Sequence, residues 1–315
     1  MLSALLSDTQ ATFEYNGYAY QVGKLLGRGS FGRVYAVLGN PQFVIKVVPV
    51  KTDKHKAMIQ REIMFTQTVL NHPFIIRCFA HNYTNSAYHI LYERILGNAL
   101  SQYLTIYGDS DTSLAFKLHT ASQLLCAVAH LHAHTVIHRD IKPHNIMIQT
   151  HPFHVKLIDF GLSRYQHENR GISGTKVYNA PELFLDQPQT AGVDLWSTGC
   201  CLFTLFFNAN IFVASQTKPF ANASPSSIPS IYNRLMQFLD AQTVTGPYSA
   251  ILAIIRQLLA FEPSQRIPAS EAMLALRSVY TQVACVDLDK KWRAFVADQP
   301  DLAYTLLDTQ SGGNT

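Results

Sequence analysis

The sequence predicts an α+β chain in two lobes, a small one rich in strands and a larger helical one, and three observations carry that prediction. Between Tyr18 and Tyr92 the apolar residues come in short β-branched or aromatic runs separated by Gly, Pro and Asn, the pattern of half-buried strands. One amphipathic helix, from about Lys56 to Leu70, interrupts them, and beyond Gly97 the apolar spacing becomes helical. At 315 residues, with 48% apolar and 15% charged, the chain has enough apolar surface to bury a core of that size.

Taken in order, the elements are these. "MLSALLSD" lacks the positive flank and the length of a secretory core, so no signal peptide is expected there, and residues 1–17 read as an extension. "YAYQVGKLL", "GRVYAVL", "FVIKVV", "RCFAHNY" and "AYHILY" read as the strands of the first lobe, residues 18–92. The helix among them carries Ile59, Ile63 and Val69, and Asn71-His72-Pro73 stops it. "ERILGN", residues 93–98, connects to a helical lobe over 99–280. That lobe begins with a long helix from about Ser113 to His134, with Leu114, Leu118, Leu125 and Val128 on one face. Residues 281–315 form a tail whose end, "DTQSGGNT", reads as disordered.

Composition excludes several classes of function. A net charge of +4, from 25 basic and 21 acidic residues, is slight, and no basic run with interleaved aromatics suggests nucleic acid. The five cysteines are odd in number, spread out and free of C-x-x-C pairs, so neither a disulfide framework nor a zinc site is indicated, and a reducing intracellular compartment, cytoplasmic or nuclear, is expected. The longest apolar stretch, "GCCLFTLFFNANIFVA" from Gly199, is broken by Asn208 and Asn210 and falls short of the roughly 18 to 20 residues a membrane span needs. A buried helix is the better reading.

Four short stretches carry chemistry. "IHRDIKPHNIMI", residues 137–148, must be a loop, because Pro143 would break a helix. Apolar anchors at both ends hold its Asp140, Lys142 and Asn145 rigidly at a surface. "LLGRGSFGRVYAV" places Gly27, Gly29 and Gly32 between two strands, where the missing Cβ lets backbone amides approach phosphate oxygens. Since "RVYAVL" continues as a strand and not as a helix, the dinucleotide-binding fold is disfavoured. Lys46 sits among apolar neighbours in "VIKVV" and needs an anion; Glu62, on the helix, is placed to supply one. Asp159, in "VKLIDFGLSR", follows an apolar strand as a carboxylate metal ligand would.

With these residues in their order, the sequence resembles a eukaryotic-type serine/threonine protein kinase over about Tyr18 to Tyr280: "GRGSFGRV", "VIK", a helix glutamate, "HRDIKPHN", "DFG", "GTKVYNAPE", "DLWSTG" and "EPSQR" follow one another. The resemblance implies the bilobal kinase fold, ATP and Mg2+ as cofactors, and protein Ser/Thr hydroxyls as acceptors. It implies an ATP site made by the glycine loop (Leu26, Gly27, Arg28, Gly29, Ser30, Phe31, Gly32, Arg33 and Val34), by Val44, by Lys46 with Glu62, by Glu93 and Ile95 of the connection, and by Met147. Asp140 would accept the hydroxyl proton, Lys142 would neutralise charge on the transferred group, and Asn145 and Asp159 would hold magnesium. Lys142 and Thr175 go with serine/threonine acceptors. Glu182 and Arg266 would form a buried ion pair, and Asp194 would brace the catalytic loop.

The sequence departs from the family pattern in places. Val44 replaces the usual alanine, and the aromatic Tyr92 stands just before the connection. "IMFTQTVLNHP" is one residue longer to the proline than is common, with Thr66 at a position that is often aliphatic. Gly171 stands where many kinases carry an activating phosphosite, leaving Ser163 and Ser173 nearby, and Arg139, Arg164 and Arg170 as partners for a phosphate. An inactive kinase-like scaffold is the alternative, although the lysine and both aspartates whose loss marks such proteins are present. A small-molecule phosphotransferase is less consistent with "GTKVYNAPE".

Overall fold

Period-2 alternation builds the first lobe, and its two faces have different work. In the computed structural model, which describes residues 12–15, 17–28, 32–108, 113–166, 171–185 and 187–282, strands β1 (Thr12–Tyr15), β2 (Tyr18–Arg28), β3 (Arg33–Val37) and β4 (Phe43–Pro49) precede helix α1 (Asp53–Met64), and β5 (Cys78–Thr84) and β6 (Ala87–Glu93) follow it. They form one antiparallel sheet in the order β1-β2-β3-β4-β6-β5. Ile45, Val47 and Leu91 point to one side, where they pack with Tyr20, Val22 and Tyr35. Val48, Ile90 and Tyr92 point to the other, into the core that α1 covers. Lys46 lies between Val44 and Val48 on that second face, as strand geometry requires.

The sheet begins earlier than expected. Residues 12–15, assigned above to an extension outside the lobe, pair with β2 as its edge strand, in a register that runs from Thr12↔Gln21 to Tyr15↔Tyr18. Helix α1 is capped by Thr52, whose hydroxyl accepts from the amide of His55 at 3.1 Å. Its continuation is not α-helical to Leu70. A π-helical turn spans Phe65–Val69, closed by the Leu70 amide donating to the Phe65 carbonyl at 2.9 Å. The π turn takes up the extra residue of "IMFTQTVLNHP", so Glu62 stays inward while the chain still reaches its turn at Pro73.

The second lobe starts with β7 (Gly97–Ala99), α2 (Leu100–Tyr107) and α3 (Leu114–Ala133). The Ser113 hydroxyl caps α3 by accepting from the Phe116 amide. Short strands follow: β8 (Val136–Ile137), β9 (Ile146–Thr150), β10 (Phe153–Leu157) and β11 (Arg164–Tyr165). They pair as β10-β9-β7 and β11-β8 and grip both ends of the loop that holds Asp140. Then come α4 (Gly192–Phe207), α5 (Ile211–Ala214), α6 (Ile228–Asp240), α7 (Pro247–Leu258) and α8 (Ala269–Gln282). Helix α4 is buried along most of its length around Trp196, Cys200 and Phe206, which accounts for the apolar run at Gly199. No described helix is long and apolar enough to cross a membrane. "MLSALLSD" and "DTQSGGNT" lie outside the described residues.

Candidate active site

Between the lobes lies a cavity of about 1100 Å³. Val34 and Val44 line it from the sheet, Ile95 and Leu96 from the connection, and Met147 and Ile158 from the second lobe. It is apolar toward the connection and charged at the opposite end, where Lys46, Glu62, Asp140, Lys142, Asn145 and Asp159 converge. A flat apolar slot leading to a cluster of charge suits an aromatic base carrying phosphates.

The charged end is built in two halves. In the first, Lys46 Nζ donates to Glu62 Oε1 at 2.7 Å. Burial pulls the ammonium down, but Glu62 and then Asp159 outweigh it and hold it above its ordinary value. Asp159 has left-handed backbone angles, φ 67° and ψ 72°, uncommon for a residue other than glycine and concentrated at functional sites. Burial pushes its carboxyl up, against the pull of Lys46, so this carboxylate gains from an added cation. Phe160, fully buried, packs edge-on against His138 at 4.7 Å and anchors the turn.

In the second half, three groups fix Asp140. Lys142 Nζ donates to Oδ2 at 2.7 Å, Asn145 Nδ2 to the same oxygen at 3.1 Å, and the Thr175 hydroxyl to Oδ1 at 2.8 Å. Lys142 also donates to Thr175 at 2.8 Å, closing the network between the loop and the segment that begins at Asp159. Asp194, fully buried on α4, accepts from the amides of His138 and Arg139 at 2.8 Å each and lies 3.2 Å from His132 Nε2. The loop is thus tied to a helix buried along most of its length. Glu182 and Arg266 form a two-pronged pair at 2.6 and 2.8 Å, which holds the far end of the segment.

Residues 20–276 match the protein kinase domain family. The chain belongs to the protein kinase family. Its relatives include the serine/threonine-protein kinase Nek8 of Danio rerio, 28% identical over 284 residues that cover 85% of this chain and 39% of that protein. The serine/threonine-protein kinase cds1 of Schizosaccharomyces pombe is 30% identical over 274 residues, covering 81% and 57%. An Aurora kinase of Encephalitozoon cuniculi is 27% identical over 268 residues, covering 81% and 92%. The chain therefore spans roughly two fifths to three fifths of the first two proteins and nearly all of the third.

Most of the expected site residues of this kinase domain meet in the cleft: Leu26, Gly27, Gly32, Val34, Val44, Lys46, Glu62, Glu93, Ile95, Asp140, Lys142, Asn145, Met147 and Asp159 all line it. Two do not. Arg28 and Arg33 pair with each other across β2 and β3, outside the cavity lining. Gly29, Ser30 and Phe31, with Arg170, lie outside the described residues. Glu93 lines the cleft, and its Oε1 accepts from Lys156 Nζ at 2.7 Å and from the Arg77 amide at 2.9 Å. Sequence reasoning did not find Lys156. Its signal was the lone cation in the alternating "HVKL", three residues before Asp159. It also did not find Gln189, discussed below.

Proposed function

We propose that this chain is an active serine/threonine protein kinase, transferring the γ-phosphoryl group of ATP to Ser/Thr hydroxyls of proteins. The observation that carries the reading is the closed network of Asp140, Lys142, Asn145 and Thr175 facing the Lys46–Glu62 pair across one cavity. Lys46 would bind the α- and β-phosphates, with Glu62 fixing its direction. Asp140 would orient the acceptor hydroxyl and take its proton, while Lys142 compensates the charge of the transferred group. Transfer of this kind asks the protein chiefly for positioning and charge stabilisation, which buried, mutually bonded side chains supply. Thr175, bonded to both Asp140 and Lys142, would shape the ground on which a Ser or Thr acceptor lies.

Asp159 and Asn145 fit a magnesium ion. Asp159 offers a half-buried carboxylate, and Asn145, whose amide nitrogen is spent on Asp140, keeps its oxygen for a cation. Two protein oxygens suffice, because magnesium commonly completes its shell with phosphate and water. When bound, magnesium neutralises phosphate charge. We further propose a reducing, intracellular location. The four described cysteines are unpaired, and burial pushes the thiols of Cys78, Cys126 and Cys200 up to about 12, leaving them inert.

The test is phosphate transfer from Mg-ATP to a mixed protein substrate. Asp140→Asn and Lys46→Met should each lower turnover by about 10² to 10³, the usual loss for one transition-state contact, with circular dichroism unchanged. Near-normal turnover in either folded variant would refute the assignment of these roles, and no turnover by the unsubstituted protein would favour the scaffold reading.

A further inference from the structure

Glu62 Oε1 accepts two hydrogen bonds, and only one comes from Lys46. The other is from the Tyr92 hydroxyl, at 2.9 Å. We propose that Tyr92 is a positioning residue for phosphate binding, its hydroxyl holding the Glu62 carboxylate at the point from which Glu62 presents Lys46 to the phosphates of ATP. The inference rests on the phosphotransfer reading above and adds to it a residue that touches neither phosphate nor acceptor.

The placement follows from the sheet. Lys46 on β4 is paired with Ile90 on β6, and Tyr92, two residues further along β6, is paired with Val44 on β4. Tyr92 and Lys46 therefore project from one face of adjacent strands, and the two donors meet the same oxygen of α1. Tyr92 is held on its other side as well, where it is paired with Cys78 on β5. The ring is 5% exposed and Glu62 4% exposed, so the hydroxyl is withdrawn from bulk water. A buried hydroxyl is costly unless bonded, and phenylalanine would fill the same space without that need.

Lys46 alone is an insecure tether for Glu62. Asp159 also attracts its ammonium, so Lys46 is drawn by two carboxylates. The bond from Tyr92 binds Glu62 to the sheet whichever carboxylate Lys46 faces, leaving Lys46 with a fixed counter-ion. Burial, and then the charge of Glu62, push the phenol well above its ordinary value, so it remains a donor throughout the neutral range.

The experiment compares ligands that do and do not use Lys46. In Tyr92→Phe, KM for ATP and the inhibition constant of ADP should rise about three- to tenfold, the scale of one ordinary net hydrogen bond. Adenosine, which lacks phosphates, should inhibit as before, within about twofold by the same argument. In a Glu62→Ala background the hydroxyl has lost its carboxylate, and Tyr92→Phe should add nothing to the ADP constant. Unchanged ATP and ADP constants in Tyr92→Phe overturn the proposal. So does adenosine weakening by the same factor, which would mean that Tyr92 only shapes the base pocket, and so does an equal further loss in the Glu62→Ala background. ADP binding by the unsubstituted protein tests the underlying reading: its absence sinks both, whereas its presence with no change in Tyr92→Phe sinks only the role of Tyr92.

Discussion

At the scale of single residues, the most demanding group in the molecule is Arg266. Its side chain is fully buried, and its donors are spent on Glu182 and on the carbonyls of Gly192, Ala260 and Phe261, with Trp196 stacked at 5.2 Å. A buried guanidinium is tolerable only while its charge is matched. Glu182→Ala leaves the carbonyls in place but removes the anion, so stability should fall by about 3 kcal/mol, the lower end for breaking a buried pair. Urea unfolding monitored by Trp fluorescence measures this, and a loss below about 1 kcal/mol would show that carbonyl dipoles alone satisfy the charge. The pair was legible in the sequence as two motifs lying 84 positions apart. What the sequence did not disclose is that three backbone carbonyls share the arginine, because those contacts depend on how the chain closes around it.

At the scale of elements, the long helices and the five expected strands of the first lobe were legible because each repeats its signal several times. Strand β1 was missed although its signal was present: "EYNGYAY" sets Asn-Gly between aromatic runs, a common hairpin mark, and Gly17 has φ 77°. The π turn was half legible. The sequence showed one residue too many, but not that a change of hydrogen-bond partner would absorb it. Where that turn leads into the next loop, His72 stacks on His130 of α3 at 4.5 Å, and His130 in turn lies 4.3 Å from His134. Among the described residues no group of three or more His, Cys, Asp and Glu is arranged to hold a metal ion. Burial, then His130, Lys156 and His134, lowers His72 to about 3; burial, then His134, lowers His130 to about 4. Both rings are thus neutral in the fold but protonate near 6.5 when unfolded. Between those values the unfolded chain binds more protons, so the stability present above about pH 6.5 is lost as pH falls toward 4. His130→Phe keeps the stacking and removes one of these sites. It should lose about 1–2 °C less in Tm between pH 6.5 and 4.5 than the unsubstituted protein, the shift expected for roughly 1 kcal/mol at this size. Parallel Tm curves would show that the histidines do not contribute.

At the scale of the whole molecule, the question is what holds the segment from Asp159 to Glu182 in place across the second lobe without a phosphate at its centre. Gly171 occupies the position where a phosphorylated side chain would otherwise draw in the arginine next to Asp140. Here its carbonyl accepts from Arg139 at 2.7 Å and from Gln189 Nε2 at 2.6 Å, and Arg139 Nε donates to Gln189 Oε1 at 3.2 Å. A triangle of guanidinium, carboxamide and carbonyl thus spans the catalytic loop, the segment and the approach to α4. Neither nearby serine is well placed to take over. Ser163 is fully buried, with its hydroxyl directed at the His138 carbonyl, and the Ser173 oxygen is shielded from solvent without a partner. Because these bonds already tie Gly171 to the catalytic loop, the unphosphorylated protein should already be active. Phosphatase treatment should leave the initial rate within about twofold, whereas Gln189→Ala, which opens the triangle, should lower it by about tenfold, the loss expected when one hydrogen bond to a charged group is broken. A fall of more than tenfold after phosphatase, restored by incubation with Mg-ATP, would mean that a phosphate holds the segment and the triangle does not.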